Sequence, residues 1–331
     1  MSIYYLDLTT TDPDFNLAME QYVFDRLPRD HSYFMLWQND RAIIVGRYQN
    51  TAAEINAPYV EQHGIRVVRR LSGGGAVYHD MGNLNYTYIG DAKQIEKLDF
   101  ALFCQPVIKT LADLGVKAEL NGRNDMTIDG RKFSGNAQYR KQGRVMHHGT
   151  ILFDSDLSVV ANALQVDPTK FQTKGIQSTR SRVTNVREHL PQDIGLSEFR
   201  HLLLQNAAAG NAAEPYPLSQ ADLEAVEKLR RERYGTWAWN FGESPAYTQL
   251  NRRRFDGCGL VELFLDVDKG ILRGMTLRGD FFHIADPAEL AAHFIGIQAD
   301  RESYKKVLET VDVSHCISGL DNERFLELLC E

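Results

Sequence analysis

Apolar residues recur at helical spacing in two segments of the first half of the chain. Between residues 12 and 27, Asp12 can cap a helix whose first position is Pro13, and apolar side chains follow at intervals of three and four. The run from Phe100 to Leu114 looks helical as well and ends at Gly115, a residue suited to a left-handed helix cap. The pattern therefore predicts an amphipathic helix near the N-terminus and a second helix that begins near residue 100.

Shorter apolar runs bounded by turn-forming residues predict β-strands. Tyr33 to Trp37 and Ala42 to Gly46 are separated by a turn-like segment, which favours a β-hairpin between them. A third strand, from Ile65 to Arg70, stops just before three consecutive glycines, Gly73 to Gly75, and β-rich residues resume after the glycines. The predicted order of elements here is therefore a strand, a glycine loop and a second strand.

Two dipeptide signals predict further hairpins. Asp129-Gly130 stands between two short β-rich runs and is the strongest two-residue hairpin signal in the chain. This turn places Lys132 at the start of the returning strand. The segment Asp268-Lys269-Gly270 divides a second stretch of alternating apolar and polar residues in the same way.

The pattern also divides the chain into two unequal parts. After Leu157 it is mainly helical, and Ser219 with Asp222 resembles a capping pair at a helix start. The aromatic, turn-rich segment 237–247 precedes the alternating strands of the C-terminal part. We therefore expect a large domain of residues 1–245 and a small α+β domain of residues 246–331.

Composition and cysteine content indicate a globular protein of a reducing compartment. The chain has 331 residues, of which 43% are hydrophobic and 24% are charged. No uncharged run approaches the roughly 20 residues of a membrane span, and the N-terminus does not resemble a secretory signal. Four widely separated cysteines form neither a disulfide framework nor a metal-ligand pattern. We expect a cytoplasmic protein that has no membrane partner.

The charge distribution narrows the range of partners. A formal net charge of -7 argues against nucleic-acid binding as the main role, because sequence-independent binding needs a broad basic surface. Two segments are nevertheless basic: residues 121–144 hold six basic and two acidic residues, and residues 168–187 hold five basic and no acidic ones. Such segments form either solvated surface or a site for an anionic ligand.

The glycine loop and Lys132 are the main candidates for chemistry. Three glycines at a strand end lack every Cβ, so their backbone N–H groups can approach ligand oxygens, although such a cluster is also found in ordinary tight turns. Arg69 and Arg70, just before the loop, can add fixed positive charge. The turn-forming Ser-Gly-Asn after Phe133 would let the chain bend around a bound group while Lys132 projects into it, as an alternative to a solvated lysine.

Other chemistries are less well supported by the sequence. His79, His147 and His148 have no further ligand at metal-binding spacing. No Ser/His/Asp or Cys/His nucleophile set is recognisable, because the cysteines stand outside the glycine-rich motifs. Asp125 could hold a Mg²⁺ ion whose shell the phosphates complete, or it could be structural.

Several long motifs, taken together and in order, resemble the bacterial lipoate-protein ligases. They are NLAMEQ, RRLSGGGAVYHD, GRNDMTIDGRKFSGNAQ, HHGTILFD, KGIQSTRSRVTNV and WAWNFGESPAY. The likeness spans the chain and includes the small C-terminal domain of the long family members. It implies an α+β fold in which a catalytic domain of mixed β-sheets flanked by helices, related to biotin-protein ligases, binds lipoate and ATP.

The resemblance also implies a reaction, its cofactors and its partners. Free lipoate would be activated with ATP and Mg²⁺ to lipoyl-AMP, and the lipoyl group would pass to a lysine of an apo lipoyl domain. The acceptors would be the acyltransferase subunits of 2-oxoacid dehydrogenases and the H protein of glycine cleavage. The basic stretch Lys174 to Arg187 would cover the adenylate or meet acidic acceptors.

Residue roles follow from the matched motifs. Lys132 matches the family's invariant lysine and would bridge lipoate and phosphate as the catalytic group. The other implied ATP-binding residues are Arg70, Gly75, Ala76, Val77, Tyr78, Asp125, His148 and Thr150, with Asp125 also the candidate metal ligand. The implied lipoate-binding residues, besides Lys132, are Leu17, Val45, Gly46, Gly73 and Gly74.

Two other functions stay open at this point. An octanoyl or lipoyl transferase of the same fold would need no ATP, and one type would use a cysteine, but the motifs contain none. A non-catalytic lipoate or nucleotide sensor would have kept the fold without turnover. Retention of Lys132 and of the glycine loop argues against the sensor.

Overall fold

A computed structural model describes residues 3–91, 99–122, 124–164, 182–208, 214–241 and 248–331. The strands of the N-terminal part are β1 (Ile3–Asp7), β2 (Ser32–Trp37), β3 (Ala42–Val45), β4 (Arg66–Arg69), β5 (Val77–His79), β6 (Asn83–Asp91), β7 (Glu119–Asn121), β8 (Asp125–Ile128), β9 (Arg131–Lys141), β10 (Arg144–Leu152) and β11 (Glu214–Pro215). Those of the C-terminal part are β12 (Gln249–Phe255), β13 (Gly259–Asp268) and β14 (Ile271–Gly279).

Helices connect and cover these strands. In the N-terminal part they are α1 (Pro13–Arg26), α2 (Thr51–Glu54), α3 (Ala57–Gln62), α4 (Ala101–Asp113), α5 (Leu157–Ala163), α6 (Leu196–Ala207), α7 (Gln220–Leu229) and α8 (Trp237–Asn240). Short 3₁₀ helices span Val186–His189 and Val313–His315, and one π-helical segment spans Arg230–Tyr234. In the C-terminal part the helices are α9 (Pro287–Ala292), α10 (Arg301–Leu308) and α11 (Asn322–Leu329).

An eight-stranded mixed sheet forms the centre of the N-terminal part. Its strand order is β11-β1-β2-β6-β10-β9-β8-β7, with parallel pairing among β11, β1 and β2 and antiparallel pairing elsewhere. Strand β2 is buried on both faces, which explains its continuous apolar run. Tyr33, Met35 and Trp37 pack with α1, whereas Phe34 and Leu36 pack with α4 and α6.

A small second sheet positions the glycine loop beside the large one. Strand β3 lies between β4, to which it is parallel, and β5, to which it is antiparallel. The predicted hairpin between residues 33–37 and 42–46 is therefore wrong, because β2 and β3 belong to different sheets. The connection carries the chain from one sheet to the other, and buried Asn39 is tied there to Asn16 of α1.

The predicted helix cap at Asp12, the glycine after the second helix and the two predicted hairpin turns are confirmed. Helix α1 begins after Asp12, whose side chain accepts from two backbone N–H groups, and α4 is followed by Gly115 with a φ of +81°. Asp129 and Gly130, with φ values of +50° and +74°, form the turn between β8 and β9. Lys269 and Gly270 form the corresponding turn between β13 and β14.

The C-terminal part consists of the sheet β12-β13-β14 and helices α9 to α11, which share one apolar core. That core includes Tyr48 of the N-terminal part, whose ring stacks on Phe281 at 5.5 Å. The expected boundary between residues 245 and 246 lies outside the described residues and stays a prediction. Among the described helices, none combines the length and the apolar character that a bilayer crossing demands.

Candidate active site

One pocket lies between the large sheet, the small sheet and the C-terminal part. Leu17 of α1, Trp37 of β2 and Ile44 of β3 form an apolar wall. Lys132, Gly135 and Asn136 of β9 also line the pocket, and Phe282 contributes from the C-terminal part. The pocket therefore offers an apolar end and a polar end within one cavity.

The structure brings most of the predicted site residues to this pocket. Nine of them line it: Leu17, Arg70, Gly74, Gly75, Ala76, Val77, Lys132, His148 and Thr150. Asp125 reaches the pocket through its contact with Lys132. The four others, Val45, Gly46, Gly73 and Tyr78, are outside the lining and pack behind it, with Val45 and Tyr78 in the apolar core around the small sheet. Their predicted roles as direct ligand contacts gain no support from their placement.

The Lys132 side chain of β9 passes Gly135 of the same strand and points toward the carboxylate of Asp125 on β8. The Nζ–Oδ1 distance is 2.8 Å, and the two side chains are 38% and 37% exposed. A Cβ at Gly135 would lie 3.0 Å from Lys132 Nζ, so the glycine leaves room for the ammonium group. The predicted bend at Ser134 to Asn136 is wrong, because β9 continues through these residues and the register shift with β8 lies between Met126 and Thr127.

The three glycines of the loop serve different purposes. A Cβ at Gly73 would lie 2.3 Å from Phe281 O, and Gly74, with a φ of +88°, donates its N–H to the same carbonyl at 3.1 Å. A Cβ at Gly75 would meet nothing within 4 Å. The first two glycines therefore allow close packing of the C-terminal part, and Gly75 leaves open space at the pocket.

Arg70 holds the glycine loop in shape. Its Nη2 donates to the carbonyls of Gly73 at 2.7 Å and Gly75 at 2.8 Å, while Nη1 donates to Ile44 O at 3.0 Å. Burial lowers the pKa of the guanidinium to about 10, which leaves it charged at neutral pH. Arg70 therefore places a positive charge at the pocket, but most of its hydrogen bonds go to the loop backbone.

Arg69 points away from the pocket. Its guanidinium donates to the carbonyls of Gly46, Gln49 and Trp239 and to the hydroxyl of Thr51. The expectation that Arg69 supplies charge directly to a ligand is wrong. A strand alternates its side chains between two faces, so neighbouring arginines on β4 and just after it cannot both face one pocket.

A hydrogen-bonded chain that reaches the pocket through His148 was not predicted from the sequence. His148 Nδ1 lies 3.0 Å from Glu20 Oε1, and its Nε2 lies 2.6 Å from Ser72 Oγ. Arg70 Nε donates to the same Ser72 hydroxyl at 3.0 Å. Ser72 is fully buried, so the Ser72–His148–Glu20 arrangement supports the glycine loop and does not present a nucleophile. A glutamate between Leu17 and Phe24 on the apolar face of the predicted helix was the available signal.

The site has no recognisable metal cluster in the part of the chain that the structure describes, where three or more His, Cys, Asp or Glu side chains are nowhere grouped for an ion. Asp125 is engaged by Lys132, so its role as a Mg²⁺ ligand stays a prediction. Of the basic stretch 174–187, residues 174–181 lie outside the described residues. Thr184 lies within them, and its N–H donates to Lys132 O at 2.9 Å.

Comparison with known proteins identifies two family models along the chain. Residues 12–208 match the model described as the lipoyl protein ligase A/B catalytic domain, and residues 244–329 match the bacterial lipoate protein ligase C-terminus. The chain is 41% identical over 319 residues to lipoate–protein ligase 1 of Staphylococcus aureus, covering 96% of this chain and 97% of the relative. It is 43% identical over 322 residues to lipoate-protein ligase LplJ of Bacillus subtilis, with the same coverage of both chains.

Solved structures of lipoate-protein ligases are also similar to this chain. A lipoate-protein ligase A bound with ATP superposes with a TM-score of 0.63 and 25% identity, covering 73% of this chain and 98% of that one. A bipartite lipoate protein ligase from Thermoplasma acidophilum, described with its E2 lipoyl domain, superposes with a TM-score of 0.64 and 26% identity over 75% of this chain and 98% of that one. The fold around the pocket is therefore shared with ligases of this type.

Proposed function

The chain belongs to the lipoate-protein ligase family and is a ligase of that kind, and we propose that it activates free lipoate with ATP and transfers the lipoyl group to a lysine of an apo lipoyl domain. In the first step a lipoate carboxylate oxygen attacks the α-phosphorus of ATP, and the bond to the pyrophosphate leaving group breaks. In the second step the acceptor amine attacks the acyl carbon of lipoyl-AMP, AMP leaves with the C–O bonding electrons, and the amine loses a proton to solvent.

The placement of Lys132 carries this proposal. Its ammonium group lies at the pocket's polar end with Asp125 beside it and with Gly135 leaving space around it. A cation there neutralises the carboxylate and the α-phosphate as these two anions approach each other. It also stabilises the charge that develops on the phosphoryl oxygens. The chemistry requires no enzyme nucleophile.

The two ends of the pocket suit the two substrates. Thr150 lies near Lys132, because its hydroxyl accepts from the Gly135 N–H at 3.2 Å. Gly75 and Ala76 line the same pocket, where backbone N–H groups can receive phosphate oxygens. Leu17, Trp37 and Ile44 form the apolar end, which suits the hydrocarbon part of lipoate. We propose that Mg²⁺ enters with the ATP phosphates, with the Asp125 carboxylate as its protein ligand.

The cysteines do not favour the hypothesis that the protein is a cysteine-dependent acyltransferase. None of the four, all of which lie in the described residues, lines the pocket. Cys104 is buried beside Tyr86, and burial raises the pKa of its thiol to about 12, so a nucleophilic thiolate is strongly disfavoured. Activation by ATP therefore fits the site better than transfer through a cysteine.

We propose apo lipoyl domains as acceptors, with the acyltransferase subunits of 2-oxoacid dehydrogenases and the glycine-cleavage H protein as the specific candidates. The solved archaeal ligase described with its E2 lipoyl domain supports the general class. Modification of each purified apo acceptor under the same conditions distinguishes these candidates.

The test is incubation of the full chain with MgATP, free lipoate and an apo lipoyl domain, followed by intact-protein mass spectrometry and a pyrophosphate assay. The expected result is an acceptor adduct of lipoyl mass with stoichiometric pyrophosphate. Lys132→Ala should lower the rate by roughly 100-fold or more. Lys109→Ala, which removes an exposed lysine paired with Asp113, is the matched control and should change nothing. No adduct at saturating substrates, or an adduct that forms without ATP, would overturn the proposal.

A further inference from the structure

His79 is a buried histidine of the pocket wall to which the proposed reaction assigns no role. It ends strand β5, lines the pocket beside Trp37, and is 2% exposed. Its Nε2 is buried and has no hydrogen-bond partner among the described protein atoms. Burial, with Arg70 and His148 as lesser causes, lowers the pKa of the ring to about 3, so the imidazole is neutral at physiological pH. A neutral imidazole carries one proton, and its position decides which ring nitrogen donates.

The surrounding side-chain amides determine where that proton lies. Asn16 Nδ2 donates to the backbone carbonyls of Thr10 at 3.1 Å and Gln38 at 2.9 Å, which fixes the orientation of the Asn16 amide. The same nitrogen lies 2.9 Å from Asn39 Oδ1, so Asn39 accepts there through its oxygen. Asn39 must then present its Nδ2 to His79.

This arrangement places the proton of His79 on Nε2. Asn39 Nδ2 lies 3.1 Å from His79 Nδ1, and Asn85 Nδ2 lies 3.4 Å from the same ring nitrogen. The orientation of Asn39, which Asn16 fixes, is the one that decides the tautomer. Asn39 Nδ2 therefore donates to Nδ1, which accepts, and Nε2 carries the hydrogen. The consequence is a preorganised, neutral N–H donor that has no partner among the described protein atoms, on a ring that lines the pocket.

The sheet register separates His79 from Lys132 across the pocket. His79 contacts Asn85 of β6, and Lys132 Nζ lies beside Gly135 of β9. Strand β10 lies between β6 and β9, so the two groups are separated by about two strand spacings, or roughly 10 Å. An acyl chain whose carboxylate lies at Lys132 would therefore place its far end near His79 and Trp37.

We propose that His79 donates its Nε2–H to a sulfur of the dithiolane ring and so selects lipoate over sulfur-free acyl chains. The inference rests on the proposed function, which places the lipoate carboxylate at Lys132. Sulfur is a weak acceptor, but a saturated hydrocarbon offers none. A sulfur would give this buried donor a hydrogen-bond partner that the protein does not supply, whereas hydrocarbon leaves the donor unpaired. The site therefore favours the ligand that carries the acceptor.

Three ligands separate ring shape from sulfur chemistry: lipoate, octanoate and 5-cyclopentylpentanoate, in which the ring is kept and both sulfurs are replaced by carbon. Dissociation constants and the KM for ATP-dependent pyrophosphate release are measured for each. The wild-type protein should prefer lipoate over the cyclopentyl analogue by roughly fivefold or more. His79→Phe should reduce that ratio to about one, while His79→Gln, which keeps an N–H donor, should restore most of it. His63→Phe, at an exposed histidine, is the control.

A wild-type protein that binds lipoate and the cyclopentyl analogue equally, or a His79→Phe variant that keeps the full preference, would overturn the inference. Nitrogen-15 NMR of the wild-type imidazole provides a check that does not depend on a variant folding. The expected spectrum at pH 7 shows a protonated Nε2 and an unprotonated Nδ1, and the reverse tautomer would also overturn it. Failure to release pyrophosphate with any of the acids would instead refute the proposed function, so the two failures are distinguishable.

Discussion

Lys132 Nζ and Asp125 Oδ1 lie 2.8 Å apart on the adjacent strands β9 and β8, with both side chains partly exposed at the pocket. An ion pair with this exposure contributes little to stability, because solvent screens it. The pairing instead fixes where the ammonium group points. Loss of a carboxylate that orients the catalytic lysine should therefore lower the reaction rate more than it lowers the stability of the fold.

Asp125→Asn tests this role. The amide keeps the side-chain shape and an oxygen acceptor but removes the charge that orients Lys132 and, by our proposal, contacts Mg²⁺. We expect kcat for pyrophosphate release to fall by about tenfold, equivalent to about 1.4 kcal/mol, with a change in unfolding free energy below about 0.5 kcal/mol. Asp113→Asn removes the carboxylate of the exposed Lys109 pair and serves as the control. An unchanged kcat in Asp125→Asn would contradict the orienting role.

Alanine at Gly46 should lower stability, whereas alanine at Gly75 should affect ATP binding. A Cβ at Gly46 would lie 2.0 Å from Gly74 O, so Gly46→Ala must displace the glycine loop or β3. We expect a loss of about 1–3 kcal/mol in unfolding free energy, as for other overpacked sites. A Cβ at Gly75 would meet nothing within 4 Å, so Gly75→Ala should change the unfolding free energy by less than about 0.5 kcal/mol. Its methyl group enters the pocket, so the KM for ATP should rise.

Urea unfolding and initial-rate kinetics on both alanine variants distinguish these effects. A Gly75→Ala variant that loses as much stability as Gly46→Ala would show that the open space beside Gly75 is not tolerated. A Gly46→Ala variant with full stability and activity would show that the loop can move away without cost. Either result would contradict the division of roles among these glycines.

Acidification should destabilise the protein through His283, which is buried in the contact between its two parts. Its ring packs edge-on against Tyr48 at 4.8 Å. Burial lowers its pKa from 6.5 to about 4, with Arg47 adding to the shift and Asp286 opposing it. The unfolded chain therefore binds this proton first as the pH falls. Stability is lost from about pH 6.5 toward pH 4, by about 2 kcal/mol at pH 5 from this residue.

His283→Phe keeps an aromatic ring beside Tyr48 but cannot bind the proton. The difference in unfolding free energy between pH 7 and pH 5, measured by urea denaturation, should be smaller in this variant by about 2 kcal/mol. Buried His79 and His147, whose pKa values are also lowered, retain their own contributions in both proteins. The same pH dependence in His283→Phe and wild type would contradict the assignment, and His63→Phe serves as the exposed control.

Some features followed from the sequence alone because their causes are local. Asp12 and Pro13 start α1 whatever surrounds it, since the cap and the fixed proline φ act within one turn. Asp129 and Gly130 turn the chain in the same way and so place Lys132 at the start of β9. The family resemblance across many short motifs then predicted the α+β fold and the ligase activity.

The tertiary structure decided what depends on contacts between distant residues. Alternation showed that residues 42–46 form a strand, but not that β3 pairs with β4 and β5 instead of β2, because pairing depends on where the whole chain travels. Only the folded chain brings Glu20, Ser72 and His148 into one hydrogen-bonded chain, and only it occupies the donors of Arg69 with backbone carbonyls. Sequence patterns indicate the chemistry and the local geometry of each residue. The partners of a buried polar group come from distant parts of the chain, because such a group needs a hydrogen bond once water is excluded.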